Sequence, residues 1–209
     1  MNEIIPGILE QEWNEIEKKL QIVSQFSPAV HIDLIDGKFV SNTTFLDPAP
    51  FLPWAEKLFI ELHMMVEEPN LYVDSWGRVG VKRFLGHIEH MGDQQAFLRN
   101  AREYGEGGLA LDGRTSLDKI HVPFSQVDTV LIMAIDAGFS GQEYKEAYAK
   151  KCEEIRLSAP DLHIEVDGGM NQETIAEVRK MGASRFVCTS ALFASQDPQE
   201  AYVHLTEVL

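Results

Sequence analysis

Short apolar runs recur along this chain, separated by longer stretches in which apolar residues return at helical spacing. The short runs predict strands at residues 4–9, 30–35, 59–66, 83–89, 108–111, 130–135, 163–167 and 185–190. Between the first two, residues 10–25 carry Trp13, Ile16, Leu20 and Val23 on one side of a helix. Residues 141–158, 172–181 and 196–208 read as helices as well, with Asn171 as N-cap of the second and Asp197-Pro198 near the start of the third. Eight strands alternating with helices is the count of an α/β fold, the (β/α)8 TIM barrel. A doubly wound open sheet competes with it, but no Gly-x-Gly-x-x-Gly follows the first strand. No linker, low-complexity tract or charge block divides the chain, so the expectation is a single barrel domain over 1–209.

Composition narrows the function classes. Of 209 residues, 44% are hydrophobic, enough for one sizeable core. With 33 acidic against 18 basic residues the formal charge is −15, which argues against nucleic acid and anionic membrane surfaces as partners. Cys152 and Cys188 lie far apart and form no CxxC, which suits a reducing compartment. The N-terminus does not read as a signal peptide, and apolar runs such as 130–135 are too short to span a bilayer. The expectation is a cytoplasmic protein.

The chemistry sits at strand ends. Side chains alternate faces along a strand, so His31 and Asp33 point one way while Ile32 and Leu34 point the other. The apolar pair suits the helix side, which turns His31 and Asp33 into the barrel. The same parity directs Glu61, His63 and Met65 inward, and Glu165 with Asp167. His31, Asp33, His63 and Asp167 then form one constellation at the C-terminal mouth, where active sites of such barrels lie. Two imidazoles and two carboxylates suit a divalent metal, Zn²⁺ first, with Fe²⁺, Mn²⁺ or Co²⁺ as alternatives. Glu61 and Glu165 lie one layer deeper, as acceptors that could orient His63 and the neighbouring ligands or as packing-layer groups. A metal that polarises a carbonyl, with a carboxylate on either face of the resulting enediolate, suits proton removal on one side and return on the other. Asp33 and Asp167, from strands on roughly opposite sides of a barrel, fit those two roles.

With these residues in place, the chain resembles the ribulose-phosphate 3-epimerase family over about residues 4–193. Ile5-Pro6-Gly7-Ile8-Leu9 is similar to the family's opening strand, and His31-Ile32-Asp33-Leu34-Ile35-Asp36-Gly37-Lys38 to its second. Leu62-His63-Met64-Met65-Val66, the loop Gly138-Phe139-Ser140-Gly141-Gln142 and Glu165-Val166-Asp167-Gly168-Gly169 follow in family order. The resemblance implies a metal held by His31, Asp33, His63 and Asp167, with Asp33 and Asp167 as the acid–base pair that inverts C3 of a ketose phosphate, ribulose 5-phosphate to xylulose 5-phosphate. It implies a pocket lined by Met65, Met133 and Gly7. It also implies a phosphate site built from Gly138, Phe139, Ser140, Gly141, Gly168, Gly169, Thr189 and Ser190, and a homo-oligomer.

The chain departs from the family pattern at the phosphate end. Gly7 replaces a substrate-contacting serine, Asp136-Ala137 stands in place of Asn-Pro, Ser140 and Thr189 each replace a glycine, and Ile35 replaces a methionine. Asp112-Gly113-Arg114-Thr115 departs likewise, and Arg114 is a candidate to compensate Asp136 by reaching a phosphate. The alternatives to a pentulose-phosphate epimerase are therefore an epimerase of another ketose, phosphorylated or not, and a non-catalytic metal- and sugar-binding relative. A decarboxylase of the same superfamily is disfavoured, because Ser41 stands where the second Asp of Asp-x-Lys-x-x-Asp belongs after Asp36-Gly37-Lys38. His87 and Glu89 share inward parity at the fourth strand end and read as a polar strand terminus rather than a second metal site. Trp13, Trp54 and Trp76 read as packing groups.

Overall fold

A computed structural model describes residues 2–209. Its strands are β1 (Glu3–Ile8), β2 (Ala29–Ile35), β3 (Phe59–Met65), β4 (Arg83–His87), β5 (Glu106–Leu111), β6 (Thr129–Met133), β7 (His163–Asp167) and β8 (Arg185–Cys188). All pair in parallel in chain order, and β8 returns to β1 to close the barrel. The helices are α1 (Trp13–Val23), α2 (Leu52–Ala55), α3 (Asn70–Arg78), α4 (Gln94–Arg102), α5 (Glu146–Ala149), α6 (Lys151–Ser158), α7 (Gln172–Lys180), α8 (Ser190–Phe193) and α9 (Pro198–Thr206). No helix among the described residues is long and apolar enough to cross a membrane.

The periodicity explains the layers. In α1 the buried positions are Ile16, Leu20 and Val23, one helical stripe laid on the barrel wall. In β2 every residue is buried: Val30, Ile32 and Leu34 join the large core between strands and helices, and His31 and Asp33 face the interior. A smaller apolar cluster of Leu85, Ala110, Leu131, Met133 and Ile135 fills the barrel itself. Trp76 is fully buried and Trp54 nearly so, as packing groups.

Three sequence expectations need correction. The helix anticipated from Gly141 starts only at Glu146, because Gly138 and Gly141 take positive φ and the intervening chain is bound as a loop. There the Gln142 amide donates to the Asp136 and Phe139 carbonyls (2.7 and 2.8 Å), and Lys145 N–H donates to Ala134 O. The segment between β5 and β6 holds only two short 3-10 turns, Leu117–Lys119 and Phe124–Gln126, so the strand–helix alternation lapses once. β4 stops at His87, and a 3-10 turn over Ile88–His90 takes Glu89 out of strand parity. Asn171 caps α7 through a reciprocal box with Thr174, and Asp197 caps α9, both as expected.

Candidate active site

The parallel register assembles the site. Across the β2–β3 ladder His31 faces Glu61 and Asp33 faces His63. Across β6–β7 Met133 faces Asp167. β2 and β7 stand three strands apart in the ring, one short of diametrically opposite. The barrel is narrow enough that one donor atom from each of His31, Asp33, His63 and Asp167 lies within 4.8 Å of all the others. All four residues are buried.

His31 Nδ1 sits 2.6 Å from Glu61 Oε1. An ionised carboxylate only accepts, so the proton is on Nδ1 and Nε2 is left facing the site. That Nε2 is buried with no hydrogen-bond partner, and the nearest acidic oxygen, on Asp33, is 3.4 Å away. His63 presents Nδ1 to the same space, 2.9 Å from Asp33 Oδ1 and 3.6 Å from Asp167 Oδ2. An orphaned imidazole nitrogen beside two crowded carboxylates fits a divalent cation, which would satisfy the first and offset the repulsion of the second. The cluster can therefore hold such an ion.

Electrostatics bear the mark of this crowding. Burial raises Asp167, and the negative charge of Asp33 pushes it higher. Asp33 is also penalised by burial, but the neighbouring His31 and His63 rings outweigh this and hold it well below the carboxylate range. Burial lowers His63 to about 4, against the opposing pull of Asp33. Burial would lower His31 too, yet the acidic groups around it, Asp33, Glu165 and Glu61, raise it well above its ordinary value.

The deeper acidic layer differs from expectation in its partner. Glu61 touches His31 and not His63, and its second oxygen accepts from buried Arg83. Arg83 extends to Glu106 through Nε (2.7 Å), so it bridges the barrel floor. Glu165 is fully buried with neither oxygen hydrogen-bonded, and burial followed by the Glu61 charge raises its pKa. Arg83 escaped the sequence reading because an arginine opening an apolar strand looks like a solvated end; its inward parity with Leu85 and His87 was the available signal.

Above this floor a cleft opens at the mouth. Asp33, Asp167, Met65 and Met133 line its base, and Gly138, Phe139, Ser140, Gly141, Gly168, Gly169, Thr189 and Ser190 line its sides. All eight loop residues anticipated for phosphate thus reach one cleft. Gly168 and Gly169 have φ of +108° and +70°, and a Cβ on Gly168 would collide with the Ile135 side chain, so glycine is required for this close approach. Gly7 does not line the cleft. It lies under Thr189, whose Oγ1 fills the place where a Cβ on residue 7 would stand. Two substitutions that looked independent in sequence are one steric exchange.

Asp136 is neutralised. It accepts from Lys145 Nζ (2.6 Å) and Tyr148 OH (3.1 Å), with Arg114 at 3.4 Å, and the Lys145 bond above all holds its carboxyl below the usual range. Arg114 is committed to Asp136 and Tyr148 rather than standing free.

A (β/α)8 barrel whose C-terminal mouth gathers two imidazoles and two carboxylates under a glycine-rich cleft defines a class of barrel enzyme with its site on the strand ends. The sequence profile of the ribulose-phosphate 3 epimerase family matches residues 3–193. A curated ribulose-phosphate 3-epimerase from Bacillus subtilis is 30% identical over 96% of this chain and 96% of its own length. One from Candida glabrata is 29% identical over 98% of this chain and 91% of its own. In fold alone, the structure of 3-hexulose-6-phosphate synthase from Salmonella typhimurium superposes with a TM-score of 0.75 at 13% identity, covering 100% of this chain and 98% of that one. The chain belongs to the ribulose-phosphate 3-epimerase family and is an isomerase of the epimerase class.

Proposed function

We propose that this protein inverts C3 of a ketose phosphate, converting ribulose 5-phosphate to xylulose 5-phosphate, with one divalent cation held by His31, Asp33, His63 and Asp167. The observation that carries the reading is the meeting of Asp33 and Asp167 at the base of one cleft whose sides are glycine-rich loops. Bound there, a divalent ion, Zn²⁺ by donor type, supplies positive charge to a carbonyl oxygen as negative charge develops on it.

The protein's own residues do the rest. Asp33 and Asp167 project from β2 and β7 on either side of the cleft floor, so a planar enediolate between them presents one face to each. One carboxylate removes the C3 proton and the other, as a carboxylic acid, returns one to the opposite face, which inverts the carbon. Met65 and Met133 give the intermediate a polarisable, water-poor wall. Backbone N–H groups of the 138–141 and 168–169 loops are the donors we assign to the phosphate, and Thr189 and Ser190 add hydroxyls. The pairing of Asp136 with Lys145 and Tyr148 favours a phosphorylated substrate, because it removes the repulsion that a free carboxylate would exert on a dianion.

Proton NMR of ribulose 5-phosphate with the protein in D₂O tests this. Deuterium at C3 with xylulose 5-phosphate forming is the expected result. Exchange with other ketoses but not this one would reassign the substrate, and no exchange with any ketose would make the protein a binding relative.

A further inference from the structure

His87 and Glu89 stand outside the four-residue donor set, yet they continue it. His63 turns Nδ1 toward Asp33 and Asp167, and its other nitrogen, Nε2, lies 2.9 Å from Nε2 of His87. The ring centroids are 5.0 Å apart with planes 28° from parallel, which with nitrogens at 2.9 Å places the rings edge to edge, as an N–H···N bond requires. His87 Nδ1 in turn lies 2.9 Å from Glu89 Oε2. His87 is fully buried, with the Phe39 ring 4.6 Å away. Glu89 is anchored by its other oxygen, which accepts from Asp112 N–H at 2.8 Å. The contact exists because β4 ends at His87 and the following 3-10 turn swings Glu89 back onto that ring.

The protons along this line follow from donor and acceptor rules. Two facing imidazole nitrogens form a bond only when one carries a proton and the other does not. If Nδ1 of His63 is to offer its lone pair to a cation, the proton of that neutral ring is on Nε2. Nε2 of His87 must then be bare, so its proton is on Nδ1. Glu89 is the acceptor that makes this tautomer favourable, because a carboxylate accepts and does not donate. With a cation between His63 Nδ1 and Asp33 Oδ1 in place of a proton, one assignment satisfies the remaining contacts: His63 Nε2–H donates to His87, and His87 Nδ1–H donates to Glu89.

We propose that His87 and Glu89 are positioning residues that hold His63 in the ring orientation and tautomer needed to bind a cation through Nδ1. The inference rests on the reading of His63 as a cation ligand. Outer partners of a metal-binding histidine typically change affinity 10- to 100-fold when altered.

Glu89→Gln is the decisive variant. It keeps the shape, but an amide that donates to His87 Nδ1 drives the His87 proton to Nε2, against the His63 Nε2–H. Zinc affinity is measured on the full chain by competition with a chromogenic chelator, with Zn²⁺ as the probe. We expect a loss of about 10- to 100-fold in Glu89→Gln. His87→Gln, whose amide oxygen can still accept from His63, should lose less than His87→Leu. Long-range ¹⁵N-edited NMR of histidine-labelled, zinc-loaded wild type should find His63 protonated at Nε2 and His87 at Nδ1. A His87 proton on Nε2 in wild type would overturn the proposal. So would unchanged zinc affinity in Glu89→Gln, even with a lowered melting temperature, since that marks a purely structural pair. Wild type that binds no zinc would instead remove the metal site itself, and the positioning role with it.

Discussion

The hydroxyl of Thr189 occupies the space that a side chain on Gly7 would need. Val187 closes the same space, 2.9 Å from the position of a Cβ there. The end of β1 and the start of α8 are therefore complementary, small against large. Gly7→Ala alone should destabilise the fold by about 1–3 kcal/mol through overpacking. Combining it with Thr189→Gly should recover part of that loss, so a double-mutant cycle from chemical denaturation should give a coupling energy of about 0.5 kcal/mol or more. Strict additivity would mean that the two positions do not share the space.

Asp33→Asn and Asp167→Asn should each lower turnover on ribulose 5-phosphate by about 10²- to 10⁴-fold or more, because each removes one of two opposed proton carriers. Both residues also belong to the donor set, so bound metal is measured alongside by atomic absorption. Near-normal turnover in either variant would refute the two-base scheme.

Protein purified without chelator should hold about one divalent ion per chain, and chelation should abolish turnover. Because the orphaned Nε2 of His31 and the crowded pair Asp33 and Asp167 are relieved only in the loaded form, excess Zn²⁺ should also stabilise the fold. At a free concentration 100 times Kd the linkage is about 2.7 kcal/mol. For a chain of this size that is a rise in Tm of roughly 5–10 °C by calorimetry. Identical melting curves with chelator and with zinc would contradict it.

Arg83 is a buried cation of the barrel floor, bonded to Glu61 and Glu106. Arg83→Met should cost about 3–5 kcal/mol, since it leaves the Glu61 charge buried beside unpaired Glu165. Adding Glu61→Gln should reduce that cost, because the stranded charge is then gone. Urea denaturation of the two variants measures the difference.

The two-residue stride of a strand and the stripe of a helix are local properties. They made the eight strands, the inward face of β2 and the shared orientation of Asp33 with His31 legible from residue order. Asn171 and Asp197 were legible for the same reason, because a cap bonds within its own first turn. The loop ending at Lys145 has a helical pattern in sequence but is not helix, because two positive-φ glycines and a side-chain clamp from Gln142 outweigh local propensity.

What the sequence determined by itself is which face of β2, β3 and β7 its polar residues occupy, and so the gathering of His31, Asp33, His63 and Asp167 at one mouth, since that follows from spacing along the chain. The tertiary structure alone decided the partners that surround them. The pairing of Glu61 with His31 and Arg83, the shielding of Asp136 by Lys145 and Tyr148, the exchange of bulk between Gly7 and Thr189, and the line from His63 through His87 to Glu89 all depend on strand register, barrel closure and the turn that ends β4. Those are contacts between segments distant in sequence, and no local pattern encodes the distance between two side chains that only the closed barrel brings together.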